Sequence, residues 1–327
     1  MITLSKIAKE AHVSYSTASK AFSGSPEVSE ETRNLVFNVA KQYGCFKKFF
    51  NAKYSKYVIA VICPEFGSIH YASYLSYLRK YLEIDGCEIC VAESNFSPTK
   101  EQELLDYYCK HADVDAVIMI HPQVEEYDFH EIPILILGQA FWGMNSVCIS
   151  CDHTQALAQS IDYLISCGVS SVGFVGESLT AGKLASFQTI LDQKGLIRNP
   201  DHIQITQERF EAGGYHAMSA IMATGTYPRA VICGYDNMAI GAIRCILDHG
   251  LRVPEDIAIM GMDDIPQASY LQPPLASVNT QIETRCHMAA NTVIQLINGQ
   301  TVPASQSVNA QFQFRDSFRI DIQTPQA

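Results

Sequence analysis

No stretch of the 327-residue chain approaches the ~18 consecutive apolar residues of a membrane span, and no signal-peptide core opens it. Both absences point to a cytoplasmic protein. The short signatures of catalysis are missing too. There is no GxSxG, HExxH, Walker loop or post-strand GxGxxG, so an enzyme is not expected. No heptad zipper follows Phe318, which argues against a C-terminal tetramer. Cysteine is plentiful but lacks a framework: eleven is an odd number in a long, loop-poor chain, which implies reduced thiols. Two CxxC spacings, Cys87 to Cys90 and Cys148 to Cys151, lie in strand-like runs where residues three apart face opposite ways. They read as buried structural cysteines, not as a metal knuckle. His111-x-Asp113-x-Asp115 leads straight into a strand and reads as a solvated turn. Neither a metal nor a cofactor is expected.

What is present is a division of charge. Residues 1–56 hold 9 Lys+Arg against 4 Asp+Glu, net +5, while the remainder is net −16. A basic head on an acidic body suits a head that meets nucleic acid while the body stays off it. Nearly half the residues are hydrophobic, enough for a sizeable core and more than one domain.

Within the head, three short amphipathic patterns follow one another. Leu4, Ile7, Ala8 and Ala11 share one helical face. His12-Val13 makes a tight turn, and Ser14 caps a second helix with Ala18, Ala21 and Phe22 inward. Ser23-Gly24-Ser25-Pro26 breaks it. Ser29 caps a third helix, with Glu30 and Glu31 at its dipole-favoured start and Leu35, Val36, Val39, Ala40 and Tyr43 inward. Two helices joined by a tight turn and closed by a third are the plan of a helix-turn-helix DNA-binding unit. Tyr15, Ser16, Thr17, Ser19 and Lys20 are left outward on the second helix, and such side chains reach base edges and phosphates. Residues 45–57 are basic and aromatic with no apolar period, and read as a linker.

From Tyr57 the pattern becomes β-run, helix, β-run. Strands are predicted over Val58–Cys63, Cys87–Ala92, Ala116–Ile120, Ile134–Leu137 and Val147–Ile149, with helices over Ala72–Ile84 and Lys100–His111. The pattern restarts at 171–175, with strands over 202–206, 230–233 and 257–262 and helices over 181–195, 213–223 and 238–250. The fold class is therefore α/β: a three-helix head and two doubly wound parallel lobes, with ligand expected in the cleft between them. Predicted boundaries are a head over 1–44, a hinge over 45–57 and a core over 58–327. The first lobe takes about 58–153 and 280–317, the second about 154–279 and 318–327.

Three segments carry a resemblance to the LacI/GalR family of bacterial transcription regulators. They are TLSKIAKEAHVSYSTASKAFSG followed by VSEETR in the head, the run from Tyr227 to Val278 in the body, and RDSF at Arg315–Phe318. The resemblance implies a homodimer on a roughly palindromic double-stranded operator, with a periplasmic-binding-protein-like core holding a small effector. By position, Tyr15, Ser16 and Lys20 resemble the family's base readers, with Thr3, Ser14, Thr17 and Ser29 as backbone contacts. Lys20 stands where many members carry arginine, and lacks the bidentate fork. For the effector, the matching positions nominate Asp263 as the carboxylate that accepts hydroxyls, Phe210 as the packing aromatic, His70 and Tyr71 on the other lobe, and Asp152 past the fifth strand. Lys183 replaces the usual clamping arginine, Tyr235 a common asparagine, and Ser186 a glycine. These departures predict an effector other than a standard monosaccharide: larger, phosphorylated or otherwise anionic.

The hinge departs most from the family pattern. Gly44 is followed by Cys45-Phe46-Lys47-Lys48 without the expected proline. Phe49, Phe50 or Tyr54 could supply a minor-groove wedge, with Lys47, Lys48, Lys53 and Lys56 on phosphates. Equally, the segment could make no wedge. The expected function is an effector-controlled transcription repressor of a sugar-utilisation operon, responding to a sugar or sugar phosphate. Alternatives are a global carbon regulator controlled by a phosphocarrier protein and, from another class, a solute-binding protein. The latter is disfavoured by the head.

Overall fold

The computed structural model describes residues 3–49, 57–125, 127, 132–138 and 146–320. The head comprises α1 (Leu4–Glu10), α2 (Tyr15–Phe22), α3 (Glu30–Gln42) and the short α4 (Phe46–Phe49). Each of the first three helices begins at a hydroxyl cap. Thr3 accepts from the Lys6 N–H at 3.4 Å, Ser14 from Thr17 at 2.9 Å and Ser29 from Thr32 at 3.2 Å. His12 adopts a left-handed φ of 53°, which turns the chain tightly between α1 and α2. Ile7, Ala8, Ala11, Ala18, Ala21, Phe22, Val36, Val39 and Ala40 form the core. Two residues assigned inward do not belong to it: Leu35 and Tyr43 are exposed, and Phe37 packs inward instead. The reason lies just beyond α3. Phe46 and Phe49 fold back onto Phe22 at 6.0 and 5.8 Å, and Phe46 meets Phe37 at 4.9 Å. The start of the supposed linker is thus a fourth wall of the head, and Phe49 is committed to its core. Side chains of Lys47 and Lys48, and all of Phe50, Lys53, Tyr54 and Lys56, lie outside what is described.

The first lobe contains β1 (Tyr57–Cys63), α5 (Ile69–Ile84), β2 (Cys87–Glu93), α6 (Pro98–Lys110), β3 (Ala116–Ile120), β4 (Ile134–Leu137) and β5 (Ser146–Asp152). The second contains α7 (Thr154–Ser166), β6 (Val172–Glu177), α8 (Ala181–Lys194), β7 (Ile203–Thr206), α9 (Phe210–Ala223), β8 (Ala230–Cys233), α10 (Asp236–Asp248), β9 (Ala258–Met260) and β10 (Ser277–Asn279). The chain then supplies α11 (Ile282–Ile297) and β11 (Ser305–Asn309) to the first lobe and β12 (Gln311–Gln313) to the second.

Both main sheets are parallel, in the orders β11-β5-β4-β3-β1-β2 and β7-β6-β8-β9. Central strands such as AVIMI (β3), ILIL (β4) and AVIC (β8) are buried throughout, because helices cover both faces. Edge strand β11, SQSVN, alternates exposed and half-buried. In the second lobe α9 and α10 approach backbone to backbone. A Cβ at Gly241 would stand 1.9 Å from the Glu211 carbonyl oxygen, and one at Gly214 2.0 Å from that of Met238.

The chain crosses between lobes near Asp152, near Thr280 and near Asn309–Ala310. The last crossing precedes the position near 317 expected from sequence. Gln311–Gln313 already pairs antiparallel with Ser277–Asn279, and Ser317 donates to the Ile259 carbonyl at 2.7 Å. Cys90 is also corrected: it lies exposed on edge strand β2, whereas Cys87 is buried. Asp115 is not simply a solvated turn, since its carboxylate accepts from the Val58 N–H at 2.8 Å and ties β1 to β3.

Candidate functional site

Two places gather chemistry. The first is the outer face of α2, where Tyr15 is 59% exposed and Ser16 and Lys20 are exposed beside it. Nothing in the head core needs these side chains, so they are available to a groove. Lys20 is not idle, however: its ammonium pairs with Glu27, whose carboxyl it holds below the usual range. Thr3, Ser14 and Ser29 spend their hydroxyls as helix caps, and Thr17 sits 2.8 Å from the Ser14 hydroxyl. These hydroxyls fix the starts of α1, α2 and α3 and keep further hydrogen-bonding capacity on the surface.

The second place is a cleft of about 590 Å³ between the lobes, in the size range of small-molecule sites. Its walls stand at the carboxyl ends of the parallel strands. Glu65, Ser68 and His70 follow β1, His121 follows β3, Cys151 ends β5, Glu177 ends β6, and Arg209, Tyr235 and Asp263 follow β7, β8 and β9.

Asp263 is the centre of the second-lobe wall. It sits at φ 103°, followed by Asp264 at φ 54°, a left-handed pair that turns the first carboxylate into the cleft. Arg315 holds this turn, donating to Asp264 at 2.7 Å and to the Leu275 carbonyl at 2.7 Å, while Asn279 donates to the other Asp264 oxygen at 2.8 Å. One Asp263 oxygen lies 3.2 Å from the Lys183 ammonium, which also donates to the Gly234 carbonyl at 2.7 Å. The other lies 3.4 Å from His70 Nδ1, across the cleft. That approach is too poorly aligned for a hydrogen bond, and Nδ1 is left buried without a partner.

His70 stacks on His121 at 5.8 Å, edge-on to Tyr71 and Tyr74 at 5.0 and 5.3 Å. Burial pushes His70 below its usual value against the pull of Asp263, and pushes His121 well below, where a proton on one ring would also oppose a proton on the other. Both shifts favour the neutral imidazole. Gly138 makes room for them, since a Cβ there would meet the His121 ring at 2.8 Å. Burial also raises the Tyr71 phenol.

Phe210 begins α9 at φ 59°, and its N–H donates to the Tyr235 hydroxyl at 2.9 Å. Tyr235 is thereby fixed as a wall, its phenol pushed up to about 12 by burial. Asp152 does not line the cleft. Its carboxylate accepts from the Thr154 N–H at 2.8 Å and starts α7, while its neighbours Cys151 and His153 face inward. Reasoning from sequence missed Glu65, Arg209, His121, Glu177, Thr280 and Arg285. The first four sit at strand ends, where the rule for parallel sheets could have found them. Thr280 and Arg285 reach the cleft from a crossing and from a helix, which carry no such signal.

Residues 3–45 match the model of the lacI family of bacterial regulatory proteins, and residues 161–318 match that of a periplasmic binding protein-like domain. The chain is 27% identical to the HTH-type transcriptional regulator AscG of Escherichia coli (strain K12), over 97% of this chain and 98% of that protein. It is 26% identical to the probable HTH-type transcriptional repressor ExuR of Bacillus subtilis (strain 168), over 98% and 99%. Among solved structures, the regulator CelR in complex with cellobiose superposes with a TM-score of 0.70 at 22% identity, over 97% of this chain and 100% of that one. The lac repressor dimer bound to operator gives 0.71 at 20%, over 97% and 99%. These two likenesses establish the two-lobed fold with its helical head.

Proposed function

We infer, for a chain that belongs to the lacI family of bacterial regulatory proteins, that it represses transcription from an operator and is controlled by a small carbohydrate-like effector in its cleft. The supporting observation is that the cleft draws its wall from both lobes, with the Asp263 carboxylate facing His70 across it. A ligand that bridges two lobes favours one arrangement of them over another, and differential affinity is what any effector requires. Asp263, Lys183, His70 and Tyr71 offer polar partners to hydroxyls, and Phe210 and Tyr235 offer apolar rings. On DNA, Tyr15, Ser16 and Lys20 read base edges while Thr3, Ser14, Thr17 and Ser29 position the backbone, with Lys47 and Lys48 on flanking phosphates. The protein acts as a homodimer on a palindromic site in the cytoplasm, and works by binding, not by catalysis.

The test has two stages. Selection from random duplexes with the full-length protein should return an inverted repeat. A carbohydrate panel should then change operator affinity in the wild type and not in Asp263→Asn. An unselective protein, or an effector response untouched by Asp263→Asn, overturns the reading.

A further inference from the structure

Three of the cleft's cations can be compared by their partners. Lys183 is matched by Asp263. Arg209 is matched by Glu65, with Glu177 Oε1 a further 3.5 Å from its Nε. Arg285 has no such match. It lies in the first turns of α11, only 2% exposed, and lines the cleft. Its Nε donates to the Thr280 carbonyl at 2.9 Å and its guanidinium lies 5.1 Å from the Tyr74 ring centre. Among the described residues, no carboxylate pairs with it and no acceptor takes its two terminal nitrogens.

An arginine cannot shed its proton to escape burial, and a guanidinium taken out of water without a counter-charge carries a large desolvation penalty. The Tyr74 ring and one carbonyl offset part of that penalty. Three polar side-chain atoms of the same cleft are buried without a hydrogen-bond partner: Thr280 Oγ1, His70 Nδ1 and Arg209 Nε, the last of which has its ion pairs beside it. Thr280 is the residue whose carbonyl tethers Arg285, so an orphan hydroxyl and an orphan fork share one stretch of wall. His70 and His121 add no negative charge there, because an imidazole carries none in either protonation state.

We propose that Arg285 and Thr280 form an oxyanion subsite, so that the effector is an acidic carbohydrate bearing a carboxylate or a phosphate. The anion sits on the terminal nitrogens of Arg285, whose Nε tether holds the fork in one orientation, and accepts from the Thr280 hydroxyl. Asp263 is left for the ligand's hydroxyls. This assignment rests on the cleft being the effector site. It also moves the source of acid preference from Lys183, already engaged by Asp263 and Gly234, to an arginine that has no carboxylate partner among the described residues.

The experiment is calorimetric titration of the full-length protein with matched probes: D-glucose, D-glucuronate and glucose 6-phosphate, and the three galactose counterparts. At least one acidic member should bind about tenfold or more tightly than its neutral parent, the scale of one added charge-assisted interaction. Arg285→Met should erase that preference while its unliganded Tm stays equal or rises, because an unpaired buried charge has been removed. A purely structural arginine would lower Tm instead. Carboxylate and phosphate arms identify which oxyanion is used. Equal binding of neutral and acidic members, or a preference that survives in Arg285→Met, overturns the subsite. If neutral sugars bind and Asp263→Asn abolishes it, the effector reading stands without the subsite. If no probe binds, both fall.

Discussion

Arg209 reaches across the cleft to take both carboxylate oxygens of Glu65, at 2.6 and 3.0 Å. Its guanidinium is flanked by a ring from each lobe, Phe96 at 4.9 Å and Phe210 at 4.7 Å. The pair is a side-chain bridge between the lobes made by the chain's own residues. With Arg209 29% and Glu65 14% exposed, solvent screening leaves it worth about 1 to 3 kcal/mol. Glu65→Gln and Arg209→Lys, which loses the fork, should each speed amide exchange in the loops around residues 64–71 and 207–213 in the unliganded protein. Unchanged exchange in both variants would show that the lobes are held together by other contacts.

In the head, Lys20, proposed above as a base reader, is paired with Glu27, so that docking on DNA would exchange that carboxylate for the duplex. Lys20→Ala should weaken operator binding by about 1 to 3 kcal/mol and relax specificity at the base pair that it reads. Glu27→Gln should do the reverse, tightening binding at low salt. Fluorescence anisotropy across a salt series checks both, and a weaker Glu27→Gln would mean that the pair orients Lys20 instead of competing for it.

The close approach of α9 and α10 makes a sharp stability prediction. Gly214→Ala and Gly241→Ala push a methyl into a neighbouring carbonyl, and should cost about 1 to 3 kcal/mol or more. Gly182→Ala, whose Cβ meets nothing within 4 Å, should be neutral or stabilising by up to about 1 kcal/mol. Urea denaturation of the three variants is the measurement.

Acid should destabilise the core through its buried histidines. The folded pKa of His121 lies below the unfolded value of about 6.5, mainly through burial and then through His70. As pH falls through that value the unfolded chain binds protons first, so stability is fullest above it and is lost on the way down. His70 shifts the same way. His121→Asn suits the left-handed φ of 44° at this position and should narrow the gap between urea midpoints at about pH 7.5 and about pH 5.5. An undiminished gap assigns the acid sensitivity to other groups.

The sequence by itself determined whatever depends on near neighbours. Hydroxyl caps at Ser14 and Ser29, helical apolar spacing in the head, and runs such as AVIMI and ILIL act over a few residues, and they located helices and buried strands closely. The charge step between head and body was also legible, since it needs only counting. Assignment failed where distant packing overrode local period: Leu35 and Tyr43 yielded the inner face because Phe46 and Phe49 fold back to cover it. Only the tertiary structure decided the composition of the cleft. Arg209 meets a carboxylate 144 residues away, and Arg285 comes from a helix that the chain returns to the first lobe after a crossing. Whether a charge is paired or left alone is set by such long-range placement. Lys183, nominated from sequence in place of a clamping arginine, is paired with Asp263, and Arg285, for which the sequence carried no signal, is buried with no carboxylate partner among the described residues.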